Sequence, residues 1–295
     1  MLEFKKIEDL TTGDSAEYDL SYLFEYMISV EDMGGDASLG ICHGCGVVMI
    51  KEGDFSPVFS YPEALFDDSD VKRAAEAVFE YCRDNEIPPS FIDVPLSGLP
   101  DIMAGVNSAE VEGDGEYFNV SVKTPPMSLN YPPEAESGGV YLGELTEDFA
   151  EKYKELITDG EHNKYTGYDV RRDMADAPAE YFIEEAWKEF RRGVSITLAA
   201  SVVNEGVNVF IGEGVLYRFD GRGECEISFR ILPEYCGKGF SKKIISALIE
   251  IAGNIGIRRV VARIMEKNIP AVGAARKFMT EESRKDGIIT YTCDI

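Results

Sequence analysis

Hydrophobic and polar residues follow two different periods along the chain, and together they predict a mixture of helices and strands. In the first half, apolar residues at helical spacing predict helices over 20–28, 71–83 and 99–103. Short apolar runs bounded by turn residues predict five strands, which cover 38–41, 46–50, 56–60, 90–94 and 117–122. We therefore expect the first half to form a mixed α/β domain.

The second half repeats the mixture. A predicted strand over 140–144 leads to a helix that ends at Ile157, with Thr146 at the capping position. A second helix over 179–192 carries Trp187 on an apolar stripe, which we interpret as core. The remaining predicted elements are strands over 195–203, 208–219, 224–232, 259–264 and 288–293 and a helix over 270–278.

A composition change separates the halves. Paired prolines within 124–133 favour extended backbone without strand pairing, and the glycines of 134–139 add flexibility. We predict a mixed domain over 1–126, a Pro/Gly-rich linker over 127–139, and a second domain over 140–295.

One stretch has the pattern of an anion-binding site. An extended run over 225–232 breaks at Pro233, enters the turn Gly237-Lys238-Gly239 and continues as a predicted helix over 240–252. The start of a helix has free backbone N–H groups and the positive end of the helix dipole. Glycine lets a ligand approach the backbone, so this turn is suited to phosphate or pyrophosphate.

The uneven distribution of charge along the chain supports an anion-binding site at the glycine turn. The net charge of −25 argues against general binding of nucleic acid or of an anionic membrane. Residues 230–285, however, hold 12 Lys or Arg against 5 Asp or Glu. A basic segment on the glycine turn fits a polyanionic ligand, although a solvated helix face is the alternative explanation.

Other signals point to a cytoplasmic protein without a metal site. We find no signal peptide and no apolar run of transmembrane length, and the six cysteines have no framework spacing, which indicates reduced thiols. The lone Cys42-His43-Gly44-Cys45 lacks a second ligand pair, so we interpret it as a hairpin turn. His162 is expected to be a surface residue, and Asp67–Asp70 a helix cap.

Taken together, the motifs of residues 140–280 resemble the GNAT superfamily of acetyltransferases, most closely the branch that acetylates ribosomal-protein N-termini. The segments that carry the resemblance are Leu145-Thr146-Glu147-Asp148, Gly212-Glu213-Gly214-Val215-Leu216-Tyr217, the run from Glu226 to Ser241, and Glu266-Lys267-Asn268. The sequence departs from the family pattern at Cys236, where Arg or Gln is usual, at Ser241, where Gly or Ala is usual, and at Ala275, where many members have tyrosine.

The resemblance implies a GNAT-like mixed sheet flanked by helices, with acetyl-CoA lying across a splayed pair of strands. Pantetheine would run beside Phe229, Arg230 and Ile231, and the N–H of Phe229 would hold the developing oxyanion. Asn268 occupies the family's usual asparagine position. The resemblance also implies that the pyrophosphate is held by Gly237, Lys238, Gly239, Phe240, Ser241 and Lys242.

Glu226 is our candidate general base. An acceptor amine with a pKa of about 8–10 must lose a proton before it can attack. A carboxylate on the strand that carries the oxyanion donor is placed to accept it. The alternative is that Glu226 is only an outward-facing or Arg-paired glutamate.

The first half has the same order of predicted elements as the second, so we predict a degenerate GNAT-like domain there. Its counterpart of the glycine turn, 61–68, has no glycine and several carboxylates, so we expect no coenzyme site in it.

We predict an acetyl-CoA-dependent N-acetyltransferase that acts on a primary amine, of a small molecule or a peptide N-terminus, in a ternary complex. The alternatives are a non-catalytic module that binds acyl-CoA or a partner, and transfer of another acyl or aminoacyl group. Oligomeric state is open.

Overall fold

The computed structural model describes residues 2–6, 9, 21–53, 55–64, 68–160, 163–165 and 176–295. The chain divides into two compact units. The first consists of Met1–Thr124 with Asp220–Arg222, and the second of Pro125–Phe219 with Gly223–Ile295. Each unit has its own sheet and its own hydrophobic clusters.

The first unit contains one sheet and three helices among its described residues. The strands are β1 (Phe4–Lys6), β2 (Asp36–Cys42), β3 (Cys45–Lys51), β4 (Val58–Ser60), β5 (Glu63–Ala64), β6 (Ser90–Pro95), β7 (Ala109–Gly113) and β8 (Tyr117–Val122). The helices are α1 (Ser21–Asp32), α2 (Asp68–Asp84) and α3 (Leu99–Met103). The strand order is β1-β2-β3-β4-β6-β8-β7, with β5 paired to β3.

Helices α1 and α2 pack on opposite faces of this sheet. Val47 belongs to the cluster that contains the α2 residue Val78, whereas its neighbour Val48 belongs to the cluster around Met27 of α1. Successive side chains of a strand point to opposite faces, so consecutive valines can serve two cores. This explains why β3 is apolar at nearly every position.

The second unit contains a larger sheet with four helices among its described residues. The strands are β9 (Ala135–Ser137), β10 (Val140–Glu144), β11 (Ser195–Asn204), β12 (Val207–Tyr217), β13 (Glu224–Ile231), β14 (Arg259–Met265), β15 (Thr280–Lys285) and β16 (Ile288–Asp294). The helices are α4 (Ala150–Thr158), α5 (Ala179–Arg191), α6 (Phe240–Asn254) and α7 (Ile269–Ala275). The strand order is β15-β16-β14-β13-β12-β11-β10-β9.

Helix α6 is the main cover of one face of the second sheet. Ile244, Leu248 and Ile251 are fully buried against strand residues such as Ile196 and Ile211. Burial of one such side chain contributes roughly 1.5–3 kcal/mol relative to exposure. A second cluster joins α4 and α5 to the sheet through Tyr153, Phe182 and Phe210, among others.

The two sheets share the connectivity around their parallel strands. In each, two strands separated by a helix pair in parallel, β4 with β6 across α2 and β13 with β14 across α6. The later strand then pairs antiparallel with the last strand of its unit, and a hairpin strand completes that edge. This shared connectivity supports a GNAT-like order in the first half, which stays a prediction.

Most predicted elements are confirmed, and the misses have physical reasons. The strands over 117–122 and 140–144 and the helix over 99–103 have the predicted bounds. Cys42 and Cys45 pair directly across a hairpin, with His43 and Gly44 as its turn at φ of 51° and 71°. Strand β15 was not predicted because all of its residues are exposed, which leaves no apolar period to read.

Two further details differ from expectation. Ala135–Ser137, inside the predicted linker, is an edge strand that pairs with β10 through Ala135 and Leu142. Ala135 is buried in the core of the second unit, and this burial holds the strand in place. Thr146 precedes a 3-10 turn over Glu147–Phe149 and makes no side-chain cap hydrogen bond, so the capping interaction predicted for it is wrong.

Candidate active site

Strands β13 and β14 separate part of the way along their length. They pair over Glu224–Glu226 and Arg259–Val261. Beyond Glu226 no described residue of β14 pairs with β13, although β13 continues to Ile231. A gap therefore opens toward the carboxyl ends of both strands, and one edge of β13 is free to bond an extended ligand.

The glycine turn follows β13 at the open end of this gap. Gly237 and Gly239 have φ of 76° and 82°, a region that other residues rarely adopt. Gly239 is the N-cap of α6, and a Cβ added at either glycine would meet no atom within 4 Å. Among the described residues, no hydrogen bond uses the backbone N–H of Gly237, Lys238 or Gly239. The turn is therefore open and rich in unused donors.

Three lysines lie around the turn, of which Lys238 and Lys242 are exposed and Lys243 is half-buried. Lys238 Nζ lies 5.1 Å from the ring centroid of Tyr235, and Lys243 Nζ lies 5.4 Å from that of Phe240. Lys242 is exposed in the first turn of α6, which contains no acidic residue. Cations at this end of a helix oppose its dipole and cost stability. An anionic ligand would reverse that cost, so the lysines indicate an anion site.

A polar face of the sheet lies next to the gap. Registered pairs on β12 and β13 share one face, because paired and alternate residues point the same way. The polar face consists of Glu213, Val215 and Tyr217 on β12 with Glu226, Ser228 and Arg230 on β13. Gly214, between two of them, faces Leu248 and Ile244 of α6, so the polar face is the side opposite α6. Ser228 is exposed in mid-sheet, which shows that this face is open to solvent there.

Glu226 is buried and fully engaged on the polar face. Tyr217 donates its hydroxyl to Glu226 Oε1 at 2.8 Å. Arg218 Nη1 donates to Oε2 at 3.2 Å, and Arg263 Nη1 also donates to Oε2. The Arg-paired alternative considered for Glu226 is therefore present in the structure, and both carboxylate oxygens already accept hydrogen bonds.

Glu213 is a second buried carboxylate of the same face. Arg230 Nε donates to Glu213 Oε1 at 2.5 Å, and Arg230 Nη1 donates to Asn163 Oδ1 at 3.0 Å. Asn163 in turn donates to the carbonyl oxygens of Leu156 and Asp159, which ties β13 to the end of α4. Glu213 Oε2 is buried and has no hydrogen-bond partner in the part of the chain that the structure describes.

The other predicted site residues are placed as follows. Phe229 and Ile231 alternate with Arg230 and pack against the core that contains α6. Asn268 is the N-cap of α7, where its Oδ1 accepts from the N–H of Ala271 at 3.3 Å. Ala275 is buried at the end of α7, and Ser241 is half-buried beside Phe240.

The contacts of Glu213, Tyr217 and Arg263 were not predicted. Arg230 and Glu213 are 17 residues apart and meet only through the register of β12 and β13. The available signal was the charged residue in Gly212-Glu213-Gly214, since a charge inside an otherwise apolar strand needs a partner or a function.

The remaining candidates do not join this site. His162 lies outside the described residues. In the part of the chain that the structure describes, no three His, Cys, Asp or Glu side chains are grouped as a metal site would require. Trp187 is half-buried, packs against both cores of the second unit, and lines a cavity of about 590 Å³ together with Ile183 and Glu180.

Comparison with family models gives a match within the second unit. Residues 140–278 match the family model described as an acetyltransferase (GNAT) domain. The second unit therefore contains a GNAT acetyltransferase domain, which spans a little under half of the chain.

Several solved structures are similar to this half of the chain. An acetyltransferase of the GNAT family from Bacillus anthracis is 15% identical over 55% of this chain and 98% of its own, with a TM-score of 0.46. Spermidine N-acetyltransferase from Vibrio cholerae, solved with CoA and spermine, is 14% identical over 53% of this chain and 95% of its own, with a TM-score of 0.45. A putative ribosomal-protein-serine acetyltransferase from Vibrio cholerae is 14% identical over 56% of this chain and 99% of its own, with a TM-score of 0.44.

The search of curated proteins returned no match to the sequence. None of the described helices is both long and apolar enough to span a bilayer.

Proposed function

We propose that the second unit transfers an acetyl group from acetyl-CoA to a primary amine, carried by a small molecule or by a peptide N-terminus. The observation that carries this proposal is the gap between β13 and β14 with a basic, donor-rich glycine turn at its open end. The gap suits an extended amide-bearing chain, and the turn suits a pyrophosphate.

The residues present fit the coenzyme. The unused N–H groups of Gly237, Lys238 and Gly239 would hold phosphate oxygens, with further contacts from Phe240, Ser241 and Lys242. The free edge of β13 from Phe229 to Ile231 would bond the pantetheine amides. Bound there, acetyl-CoA supplies an activated acetyl thioester.

The polar face is the proposed acceptor side. It is exposed at Ser228, lies next to the gap, and contains Tyr217, Glu226 and Glu213 as groups that can bind an ammonium ion or its hydrogen atoms. Its six positions include no cysteine or histidine, which favours direct attack of the amine over a covalent enzyme intermediate.

In this mechanism the chain orients the amine, removes a proton from it and stabilises negative charge. The Phe229 N–H is the proposed donor to the thioester oxygen. Ala275 stands where a tyrosine acid would be expected, so solvent supplies the proton for the departing thiol. Glu226 was the base predicted from the sequence, but both of its carboxylate oxygens already accept hydrogen bonds, which argues against that role.

The proposal is tested by thiol release from acetyl-CoA with a panel of alkylamines and peptides with free N-termini. We expect turnover with at least one amine, and none with N-terminally blocked peptides that lack lysine. Lys242→Glu, which reverses a charge at the turn, should weaken acetyl-CoA binding at least tenfold, measured by calorimetry.

The matched control is Lys285→Glu on β15, an exposed lysine on the edge strand, which lies three strand positions from β13 at about 4.8 Å for each position. It makes the same change in net charge and should leave the affinity within about twofold, since exposed charges more than roughly 10 Å apart are screened. Equal losses in the two variants would contradict the proposed coenzyme site. Binding without thiol release with any amine would leave the non-catalytic module as the function.

A further inference from the structure

Glu213 has a buried carboxylate oxygen to which no described residue donates a hydrogen bond. The residue is 1% exposed, Oε1 accepts from Arg230, and Oε2 has no hydrogen-bond partner among the described residues. An unsatisfied buried polar group destabilises the folded state, and more so when it is charged. A native chain rarely retains such a group without a function or a bound molecule that satisfies it.

The position of Glu213 connects it to the proposed acceptor side. It pairs with Arg230, whereas the exposed Ser228 pairs with Val215, the next residue of β12 on the same face. Glu213 and Ser228 are therefore diagonal neighbours, within reach of one long side chain or one water molecule. Glu226 flanks Ser228 from the other side, two residues earlier on β13.

The two carboxylates that flank Ser228 differ in what they can accept. Glu226 receives Tyr217 on one oxygen and two arginines on the other. Glu213 receives one arginine on one oxygen, and its second oxygen is unused. A general base needs a free lone pair for the proton it removes, so the hydrogen-bond partners of the two residues favour Glu213 over Glu226.

We propose that Glu213 is the catalytic base of the acetyl transfer, with Oε2 as the proton-accepting atom, directly or through one water. The inference rests on the proposed function. The Glu213 carboxylate takes a proton from the acceptor ammonium, and the freed nitrogen lone pair forms the N–C bond to the acetyl carbon. The C–S bond breaks with its electron pair on sulfur, and the sulfur gains the second amine proton through solvent. Glu213 then returns its proton to solvent, so one proton is released per acetyl group transferred.

The test compares two acceptors of equal length that differ in charge at pH 7. One is the best alkylamine of the panel, which is cationic, and the other is its aminooxy isostere, which is neutral and needs no base before it attacks. Glu213→Gln should lower kcat for the alkylamine by about 10²- to 10⁴-fold. For the aminooxy compound the loss should be less than about tenfold, because the missing step is not required.

Two variants serve as controls. Glu226→Gln should lower the rates with both acceptors by a common factor, since its charge network supports the fold of the polar face. Glu250→Gln, an exposed change on α6, should leave both rates as in the unmodified protein. Acetyl-CoA affinity and the unfolding midpoint are measured for every variant, so that lost binding or misfolding is separated from lost catalysis.

Three results would overturn the inference. The first is an equal loss for both acceptors in Glu213→Gln, and the second is an acceptor-dependent loss in Glu226→Gln. If Glu213→Gln does not fold, Glu213→Asp replaces it, because aspartate keeps the charge but its shorter side chain moves the carboxylate away from the acceptor. The third result is unchanged alkylamine turnover in Glu213→Asp. Should no amine be acetylated by the unmodified protein, the proposed function fails, which is a distinct outcome.

Discussion

At the scale of single residues, Cys236 provides a direct probe of the glycine turn. Of the six cysteines, all within the described residues, Cys236 alone is exposed. Partial burial of its thiol, whose Sγ lies 3.7 Å from the carbonyl oxygen of Ile231, raises its pKa, and Glu234 raises it further. The thiolate is the reactive form, so an elevated pKa keeps Cys236 mostly protonated at neutral pH.

We therefore predict slow alkylation of Cys236 by iodoacetamide at pH 7 that accelerates as the pH rises through and beyond the ordinary thiol range. Saturating acetyl-CoA should slow this reaction at least severalfold, because the ligand would cover the turn. Peptide mass spectrometry over time measures both effects. Cys293 on β16, half-buried, is the internal control and should react at the same rate with and without coenzyme. Equal protection of both cysteines, or of neither, would contradict the prediction.

The sequence was enough to select a candidate site residue but not to predict its hydrogen-bond partners. Glu226 could be selected from the sequence because it lies on the strand that precedes the glycine turn. Its three partners could not, since Arg263 reaches it from β14 and Tyr217 from β12. Such contacts depend on strand register, which a local pattern does not encode.

At the scale of elements, the two ends of α6 provide a matched pair of glycines, one before the helix and one after it. Gly239 at its N-cap and Gly256 just after its end have φ of 82° and 85°, and neither has an atom within 4 Å of an added Cβ. Substitution of either by alanine forces a left-handed conformation on a residue with a side chain, at a cost of about 1–2 kcal/mol. The two changes should therefore lower the free energy of unfolding by similar amounts.

Only one of these variants should affect the coenzyme. Gly239→Ala adds a methyl group and strain where the phosphates would approach the backbone, so we expect its acetyl-CoA affinity to fall at least tenfold. Gly256→Ala should keep the affinity within about twofold, although it loses similar stability. Calorimetric titration measures the affinity, and urea unfolding measures the stability. A comparable loss of affinity in both variants would mean that stability, and not the turn, controls binding.

Elements with a strong internal period were predictable, and elements defined by their neighbours were not. Helix α6 and strands β12 and β13 have long apolar patterns, and their bounds agree with prediction within a few residues. Strand β9 has three residues inside a proline- and glycine-rich segment. It exists because β10 provides a pairing edge and the core accepts Ala135.

At the scale of the whole molecule, the two sheets share the connectivity around their parallel strands. They differ in the segment that joins the first parallel strand to the following helix. In the second unit this segment is an open turn with lysines, and α6 begins with no acid in its first turn. In the first unit, β4 is followed by β5, which pairs back onto β3, and α2 begins with Asp68 and Asp70. Acidic residues near the start of a helix interact favourably with the helix dipole and repel phosphate. The start of α2 therefore does not favour an anionic ligand.

From this difference we predict one acetyl-CoA per chain, although the topology occurs twice. Calorimetric titration of the full chain should give a stoichiometry near one and a single class of sites. The Lys242→Glu variant should lose that binding without a second, weaker site being revealed, because the acidic segment before α2 offers phosphate no cation. A stoichiometry of two, or binding that persists at one per chain in Lys242→Glu with unchanged affinity, would show that coenzyme recognition lies outside the turn that precedes α6. Repeating the titration at several salt concentrations adds a check, since binding governed by the lysines weakens as ionic strength rises.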